Sequence, residues 1–371
     1  ANQTLFFTRS LKRVPLSRFS ASAARCANKF AYDRNDDVAA LGREAWHTNS
    51  MPHPHLWPAI IGAILGFGLI AWASIWLARK WETLNRRWII AAALALFELA
   101  YWANVYAWLV EPNRLVVREI EIVSDRWQGA PIIIAALSDT HVASPHVDAA
   151  RMGRIVRRVN ALRPDLVVLL GDYAAFHAPE AERSGAEQQE ILGGVATFAT
   201  LDAPLGAVAV IGNHDVWYGR TSITQALQNA GIAALWNTHV VIPRAGGDIV
   251  VAGLEDDMTG HPDFAAALDG APSGDTIVLS HSPDPFPHMP QGPALMLAGH
   301  GHCGQVTIPF IGRPIVPLRN AKYACGLIEE NGNTMFVTGG IGTSILPVRF
   351  LNPPEIVLIT LRGVRNRQLA N

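Results

Sequence analysis

The chain has 371 residues and a formal net charge of −1, a length that suits one large domain with an appendage or two small domains. Its near-neutral balance, with a sequence pI of about 7.0, lacks the basic footprint that duplex nucleic acid demands. Half of the residues are hydrophobic, the mean hydropathy of +0.18 is high for a soluble enzyme, and three cysteines (Cys26, Cys303 and Cys325) are too few for a disulfide framework.

Residues 1–50 read differently from the rest. No acid precedes Asp33, whereas Arg9, Lys12, Arg13, Arg18, Arg25 and Lys29 are scattered among Ser and Ala. A transit-type targeting peptide has this composition. The blander reading, a basic disordered tail or sequence upstream of a true start at Met51, is preferred.

Two apolar runs follow, at about 57–78 and 88–110, each near the roughly 20 residues that a helix needs to cross a bilayer. Trp57, Trp76, Trp81, Trp88 and Trp108 fall near their ends, where interfacial aromatic belts sit. The segment 51–110 is therefore read as a transmembrane hairpin rather than a buried soluble one. Glu98 is an acid inside the second run, and a hydrogen bond to Asn104 or a tryptophan is its expected use. The connector 79–87 carries four basic residues against one acid. The positive-inside rule puts it in the cytoplasm and the following domain outside, while the basic tail argues in part for the reverse.

Residues 111–362 have the pattern of an α/β domain, followed by a tail at 363–371. Short apolar runs at 131–137, 166–170, 207–211, 249–252, 276–279, 294–297, 334–337 and 356–361 predict strands. A helix after the first has Met152, Ile155, Val156, Val159 and Leu162 on one face and Arg151, Arg154, Arg157 and Arg158 on the other, and Pro164 ends it. Residues 221–229 form a second helix with Gly231 as its stop. Early alternation of helix and strand, then mostly strand, predicts two packed sheets with helices outside.

Polar residues cluster where these strands end. Asp139-Thr140-His141, Gly171-Asp172, Gly212-Asn213-His214-Asp215, His281 and Gly299-His300-Gly301-His302 each follow an apolar strand. Open α/β sheets build their sites at that edge. Alternate residues of extended chain point the same way, so Asp-x-His and His-x-His each aim two side chains at one place. Carboxylate, amide and imidazole suit borderline or hard divalent metals. Each motif alone is weak; the ordered set is not.

The set resembles the five blocks of the calcineurin-like metallophosphoesterases. Two preceding membrane helices and the Gly-His-Gly-His-Cys-Gly-Gln stretch resemble its transmembrane subgroup, which is similar to envelope-lipid phosphodiesterases and UDP-2,3-diacylglucosamine pyrophosphatases. The resemblance implies a double β-sandwich flanked by helices. It implies one metal held by Asp139, His141, Asp172 and His302, and a second by Asp172, Asn213, His281 and His300, with Asp172 shared. Mn2+ is the expected ion, with Fe or Zn as alternatives. A bridging water acidified by the pair would attack phosphorus, and His214 would serve the leaving oxygen. Asp215 would orient the His214 ring or cap the turn. Cys303 reads as a small filler, although a Cys303–Cys325 bridge is conceivable in an oxidising compartment.

The expected function is hydrolysis of a phosphodiester, phosphomonoester or pyrophosphate in a lipid-linked or envelope substrate, with no nucleic acid partner. The alternatives are a UDP-2,3-diacylglucosamine pyrophosphatase of lipid A synthesis, which needs a cytoplasmic site, and a non-catalytic metal-binding membrane scaffold. The apolar Tyr173-Ala174-Ala175-Phe176 at the expected rim suits a lipid or aromatic group. His146, His177 and His261 read as solvated loop residues, and Asp256 and Asp257 as a surface turn.

Overall fold

A computed structural model describes residues 66–364 apart from 74, 77–78 and 80–83. The basic segment 1–50, the start of the first apolar run, part of its connector and residues 365–371 lie outside the described residues.

The second apolar run is helical. Helix α1, Leu84–Val105, is rich in Ala, Leu and Ile and free of Pro and Gly. It continues through a π-turn, Tyr106–Val110, into a 3-10 turn, Glu111–Asn113, where Pro112 removes a backbone donor. The stretch Ala91–Asn113 contains an 18-residue window of mean hydropathy 1.3 and is long and apolar enough to cross a membrane. Trp88, Leu96, Phe97 and Leu99 are exposed on it. Residues 66–73 are also helical, and the Phe67 ring lies 5.0 Å from that of Trp102. Among the described residues neither oxygen of Glu98 has a hydrogen-bond partner, so the expected bond to Asn104 or a tryptophan is not formed. The end of α1 is tied to the domain. Ala107 O accepts from Arg349 N at 3.0 Å, and the buried Glu111 carboxylate accepts from Leu351 N and Asn352 N.

Two six-stranded sheets pack face to face. The first contains β1 (Val116–Ser124), β2 (Ile132–Leu137), β3 (Leu166–Leu169), β4 (Ala207–Val210), β5 (Ala233–Leu235) and β12 (Glu355–Gly363), in the order β1-β12-β2-β3-β4-β5. The second contains β6 (Thr238–Ile242), β7 (Ile249–Gly253), β8 (Asp275–Leu279), β9 (Leu295–Ala298), β10 (Gly326–Glu330) and β11 (Asn333–Val337), in the order β10-β11-β9-β8-β7-β6. Strands β2 to β5 run parallel, as do β7, β8, β9 and β11. Strands buried on both faces read as unbroken apolar runs, and every residue of β3 (Leu-Val-Val-Leu) is buried.

Ile134, Val168 and Val210 of the first sheet meet Val251, Ile277 and Leu295 of the second in one core. The outer face of the first sheet is covered by α2 (Ala149–Ala161), α3 (Gly185–Ala196) and α4 (Asn213–Asn229). Asp148 caps α2 by accepting from Arg151 N, and a Ser184–Glu187 capping box opens α3. On the second sheet, Phe264 and Ala267 of the short α5 (Phe264–Leu268) join Val278, Met296 and Val337.

The predicted strands are found within a few residues of their expected bounds. Strands β1, β5, β6 and β10 and helices α3 and α5 are additions. In β1 Arg118, Glu119 and Glu121 break the apolar pattern, and α3 carries three glycines and little amphipathicity. The 221–229 helix is the second half of α4, which bends at Gly219 (φ 155°) and ends before Gly231 (φ 79°).

Candidate metal centre

Strands β2, β3 and β4 of one sheet and β8 and β9 of the other deliver the polar motifs to one edge of the sandwich. Loops after the strands stay paired: Asp139 N donates to Gly171 O, His141 N to Asp172 O, and Gly299 N to His281 O. Ile341 N and Gly342 N donate to Ser138 O and Asp139 O, which stitches the loop after β11 onto the one after β2. The backbone bends sharply in the process. Asp139, His141, Asp172, His300 and His302 all have φ between 43° and 62°. Non-glycine residues in this left-handed region cost about 1–3 kcal/mol each and gather where function requires it. Backbone also approaches closely: a Cβ on Gly212 would stand 2.2 Å from Asp172 Oδ1 and 2.7 Å from Asp172 N.

The seven candidate ligands converge in the interior. His141 Nε2 lies 3.0 Å from His302 Nε2, and His302 Nε2 lies 3.3 Å from Asp139 Oδ1. On the other side His281 Nε2 is 3.1 Å from both Asn213 Oδ1 and His300 Nδ1. Asp172 stands between the two groups, with Oδ2 3.2 Å from His281 Nε2 and 3.8 Å from His141 Nε2. Backbone carbonyls fix two of the rings. Ala174 O accepts from His141 Nδ1 and Leu170 O from His281 Nδ1, so each Nε2 faces inward.

Burial controls the charges. Burial and the neighbouring His214 push His141 down to about 3. Burial and His281 push His300 down to about 4, and burial with His141 holds His302 well below its ordinary value. Burial pushes Asp139 up to about 6, against the pull of His281. Burial would also raise Asp172, but His281 and His214 outweigh it and hold that carboxyl well below the carboxylate range. His281 is the counterpart: burial would lower it, and Asp172 outweighs that and raises it.

This donor set fits two divalent cations. His141 and His302 are kept neutral with nitrogens nearly in contact, an arrangement that a shared cation satisfies. Asp139 Oδ1 is buried without a hydrogen-bond partner among the described residues, and a buried carboxylate oxygen left so is costly unless an ion takes it. Donors fall into the groups Asp139–His141–His302 and Asp172–His281–His300; relative to the two expected ligand sets, Asp172 groups with the second rather than with both, and the Asn213 amide oxygen adjoins the second.

His214 sits at the mouth. Its Nδ1 lies 2.9 Å from Phe176 O, which can only accept, so Nε2 is left facing Ser344 Oγ at 3.4 Å and Asp172 Oδ2 at 3.9 Å. It also comes within ligand range of His141 and Asp172 as a third possible group. Asp215 does not hold the His214 ring. Its Oδ2 accepts from Asp172 N (2.8 Å) and Gly212 N (3.0 Å), and its Oδ1 from Tyr173 N (2.7 Å) and Ala174 N (3.1 Å). Of its two readings the structural one fits, because all four donors are backbone amides of the site loops.

Other expectations need correction. Cys303 is bonded to Cys325 and is neither filler nor ligand. His146 is buried with Nε2 2.9 Å from Pro347 O, and Asp256 is buried where it accepts from Met258 N and Thr259 N. His177 is exposed but its ring packs on His214 and Trp217. Three participants carried no sequence signal: the Phe176 carbonyl, Ser344, and buried Arg349, which donates to Gly339 O and Gly342 O behind His302. Phe176 follows the Gly171-Asp172 motif but takes part through a backbone atom, and Ser344 and Arg349 come from a loop with no motif, so only tertiary proximity reveals these roles.

Residues 132–304 match the family described as Calcineurin-like phosphoesterase. The chain is 30% identical over 266 residues to the metallophosphoesterase YkuE of Bacillus subtilis, a match spanning 70% of this chain and 89% of that protein. It is 29% identical to phosphodiesterase YaeI of Escherichia coli, over 62% of this chain and 83% of YaeI. UDP-2,3-diacylglucosamine pyrophosphatase LpxG of Chlamydia trachomatis is 26% identical, over 61% of this chain and 82% of LpxG.

Proposed function

The chain belongs to the calcineurin-like metallophosphoesterases and is a metal-dependent phosphoester hydrolase; from that premise we propose that it is a membrane-anchored, two-metal enzyme cleaving a phosphodiester, phosphomonoester or pyrophosphate in a lipid-linked substrate. The observation that carries the two-metal reading is the position of Asp172, with one carboxylate oxygen between two separate imidazole pairs. Asp139, His141, Asp172 and His302 would hold one ion, and Asp172, Asn213, His281 and His300 the other, with Mn2+ expected. When bound, such ions offset phosphoryl charge and acidify a water near neutral pH.

The protein's own groups do the rest. Two carbonyls lock His141 and His281 with Nε2 inward, and Asp215 clamps the loop that carries Asp172. His214, held at Nδ1 by Phe176 O, directs Nε2 toward Ser344 and Asp172. As the oxygen of a water that has lost one proton to solvent bonds to phosphorus and the bond to the leaving oxygen breaks, the proton on His214 Nε2 passes to that oxygen. A cleft of about 440 Å³ beside His300, lined by Ser282, Asp284, Val316, Leu318 and Arg319 among others, offers room for the remainder of the substrate. Half-exposed Phe176, with His177 and Trp217 packed around the His214 ring, supports an apolar or aromatic portion of the substrate.

The hairpin reading is supported by α1 and by the Phe67–Trp102 contact. An extracytoplasmic domain is supported by the Cys303–Cys325 bond, since such bonds persist in oxidising compartments. The similarity to LpxG favours a second reading, a UDP-2,3-diacylglucosamine pyrophosphatase with its site in the cytoplasm. Reporter fusions at the C-terminus separate the two.

The direct test is hydrolysis of bis(p-nitrophenyl) phosphate, the monoester and a lipid-linked nucleotide by metal-free and Mn2+-loaded protein. Chelation should abolish turnover and Mn2+ restore it. His214→Ala should retain both metals and lose about 10²–10⁴ in turnover. Full metal occupancy with no hydrolysis of any of the three would leave the scaffold reading instead.

A further inference from the structure

A loop beside the metal centre presents apolar side chains to solvent. Residues 308–312 form a tight hairpin: Ile308 and Gly312 exchange both backbone hydrogen bonds at 2.8 Å. Phe310 is at its apex, fully exposed and at φ 68°, a conformation that a bulky residue rarely adopts. Ile311 and Ile315 follow, each more than two-thirds exposed. A second loop adds Ile345, 80% exposed at φ 63°, and Leu346. Soluble surfaces scatter such residues singly, and a cluster of them marks a contact surface.

Three observations identify what the surface meets. The first is continuity with α1. The Tyr106 ring packs against Phe350 with centroids 6.4 Å apart, Phe350 bonds through its backbone to Gln305 O and Thr307 N, and the hairpin begins one residue later. The patch is therefore joined to the end of the apolar helix by one ring contact and one pair of backbone hydrogen bonds. The second is charge. From residue 300 to 328 the sequence has no acid, and Arg313 lies one residue past the hairpin, while Arg319 and Lys322 are paired with Asp257 and Glu330. Apolar tips with an adjacent cation suit the headgroup–acyl boundary of an anionic bilayer. The third is the site. The same loop runs from His302 to the cleft wall at Val316, Leu318 and Arg319, and Ser344, next to Ile345, faces His214 Nε2.

We propose that residues 308–315, with Ile345 and Leu346, seat in the bilayer surface beside α1, so that the mouth of the metal centre opens onto the membrane plane. The inference rests on the membrane-anchored hydrolase reading and deepens it: the substrate's phosphorus is drawn from the headgroup layer, and its acyl part stays in the lipid. Holding the mouth there raises the effective concentration of lipid-borne phosphoesters over soluble ones.

The test uses the full chain in nanodiscs of phosphatidylethanolamine and phosphatidylglycerol, with Cys26→Ser to leave only the bonded cysteines. The fluorophore NBD is attached at Phe310→Cys or, as a control, at Ser273→Cys, an exposed position before β8 at the far edge of the sheet. Lipids with a nitroxide on the acyl chain should quench the label at 310 several-fold more than at 273. Equal quenching overturns the proposal. So does a blue-shifted label that nitroxide lipid does not quench, since a second copy of the chain would then be covering the loop. As a second arm, Phe310→Asp with Ile311→Asp should leave hydrolysis of soluble bis(p-nitrophenyl) phosphate unchanged and lower that of hexadecyl p-nitrophenyl phosphate in the nanodisc by about tenfold. Equal loss on both substrates, or on neither, counts against the proposal. Should the unsubstituted chain hydrolyse nothing, the enzymatic reading fails while the quenching comparison still decides the membrane seat.

Discussion

Replacing Asp215 with asparagine tests how the site loop is held. Its two carboxylate oxygens each accept two backbone amides, at 2.7–3.1 Å, from Gly212, Asp172, Tyr173 and Ala174. Asparagine keeps one oxygen and turns the other position into a donor that faces two N–H groups. Each buried amide left unpaired costs about 1–3 kcal/mol, so the loss is roughly 2–6 kcal/mol. That is a large part of the about 5–15 kcal/mol that holds a domain folded. At about 2–4 °C per kcal/mol for a domain of this size, Tm should fall by roughly 5–20 °C. Both proteins should be measured metal-free in the same detergent, by tryptophan fluorescence and near-UV circular dichroism, so that metal affinity does not enter. A Tm within about 2 °C of the unsubstituted protein, together with lost turnover, would refute the clamp and return Asp215 to the chemistry.

Gly212→Ala should push the Asp172 carboxylate and amide away from a new Cβ at 2.2 and 2.7 Å. The expected outcome is a loss of about 1–3 kcal/mol in stability and substoichiometric metal by elemental analysis. Replacing Cys303 and Cys325 together by serine opens a loop of sequence separation 22. Chain entropy puts this at about 3 kcal/mol, read as a lower denaturation midpoint that reducing agent reproduces in the unsubstituted protein and leaves unchanged in the variant.

Much of the site was legible because of one regularity. In a parallel sheet every strand ends at the same edge, so polar residues placed just after apolar runs must meet there. Asp139, Asp172, Asn213, His281 and His300 each follow a strand in this way, and the structure assembles them with His141 and His302. What could not be read was the identity of neighbours from segments distant in sequence. The Asp215 carboxylate lies beside the His214 ring in sequence, yet its partners are the amides of the neighbouring loops. The ring instead takes Phe176 O, a backbone atom that no side-chain pattern records.

Local chemistry alone determined the apolar spans, the buried strands and the order of the ligand motifs, because hydrophobic period and residue type act over a few neighbouring positions. Only the tertiary structure decided that β12 from the end of the chain enters between β1 and β2, that Cys303 meets Cys325, and that Ser344 faces the His214 ring. Those outcomes depend on how two twisted sheets close on each other. That packing joins residues far apart along the chain, and no local pattern encodes it.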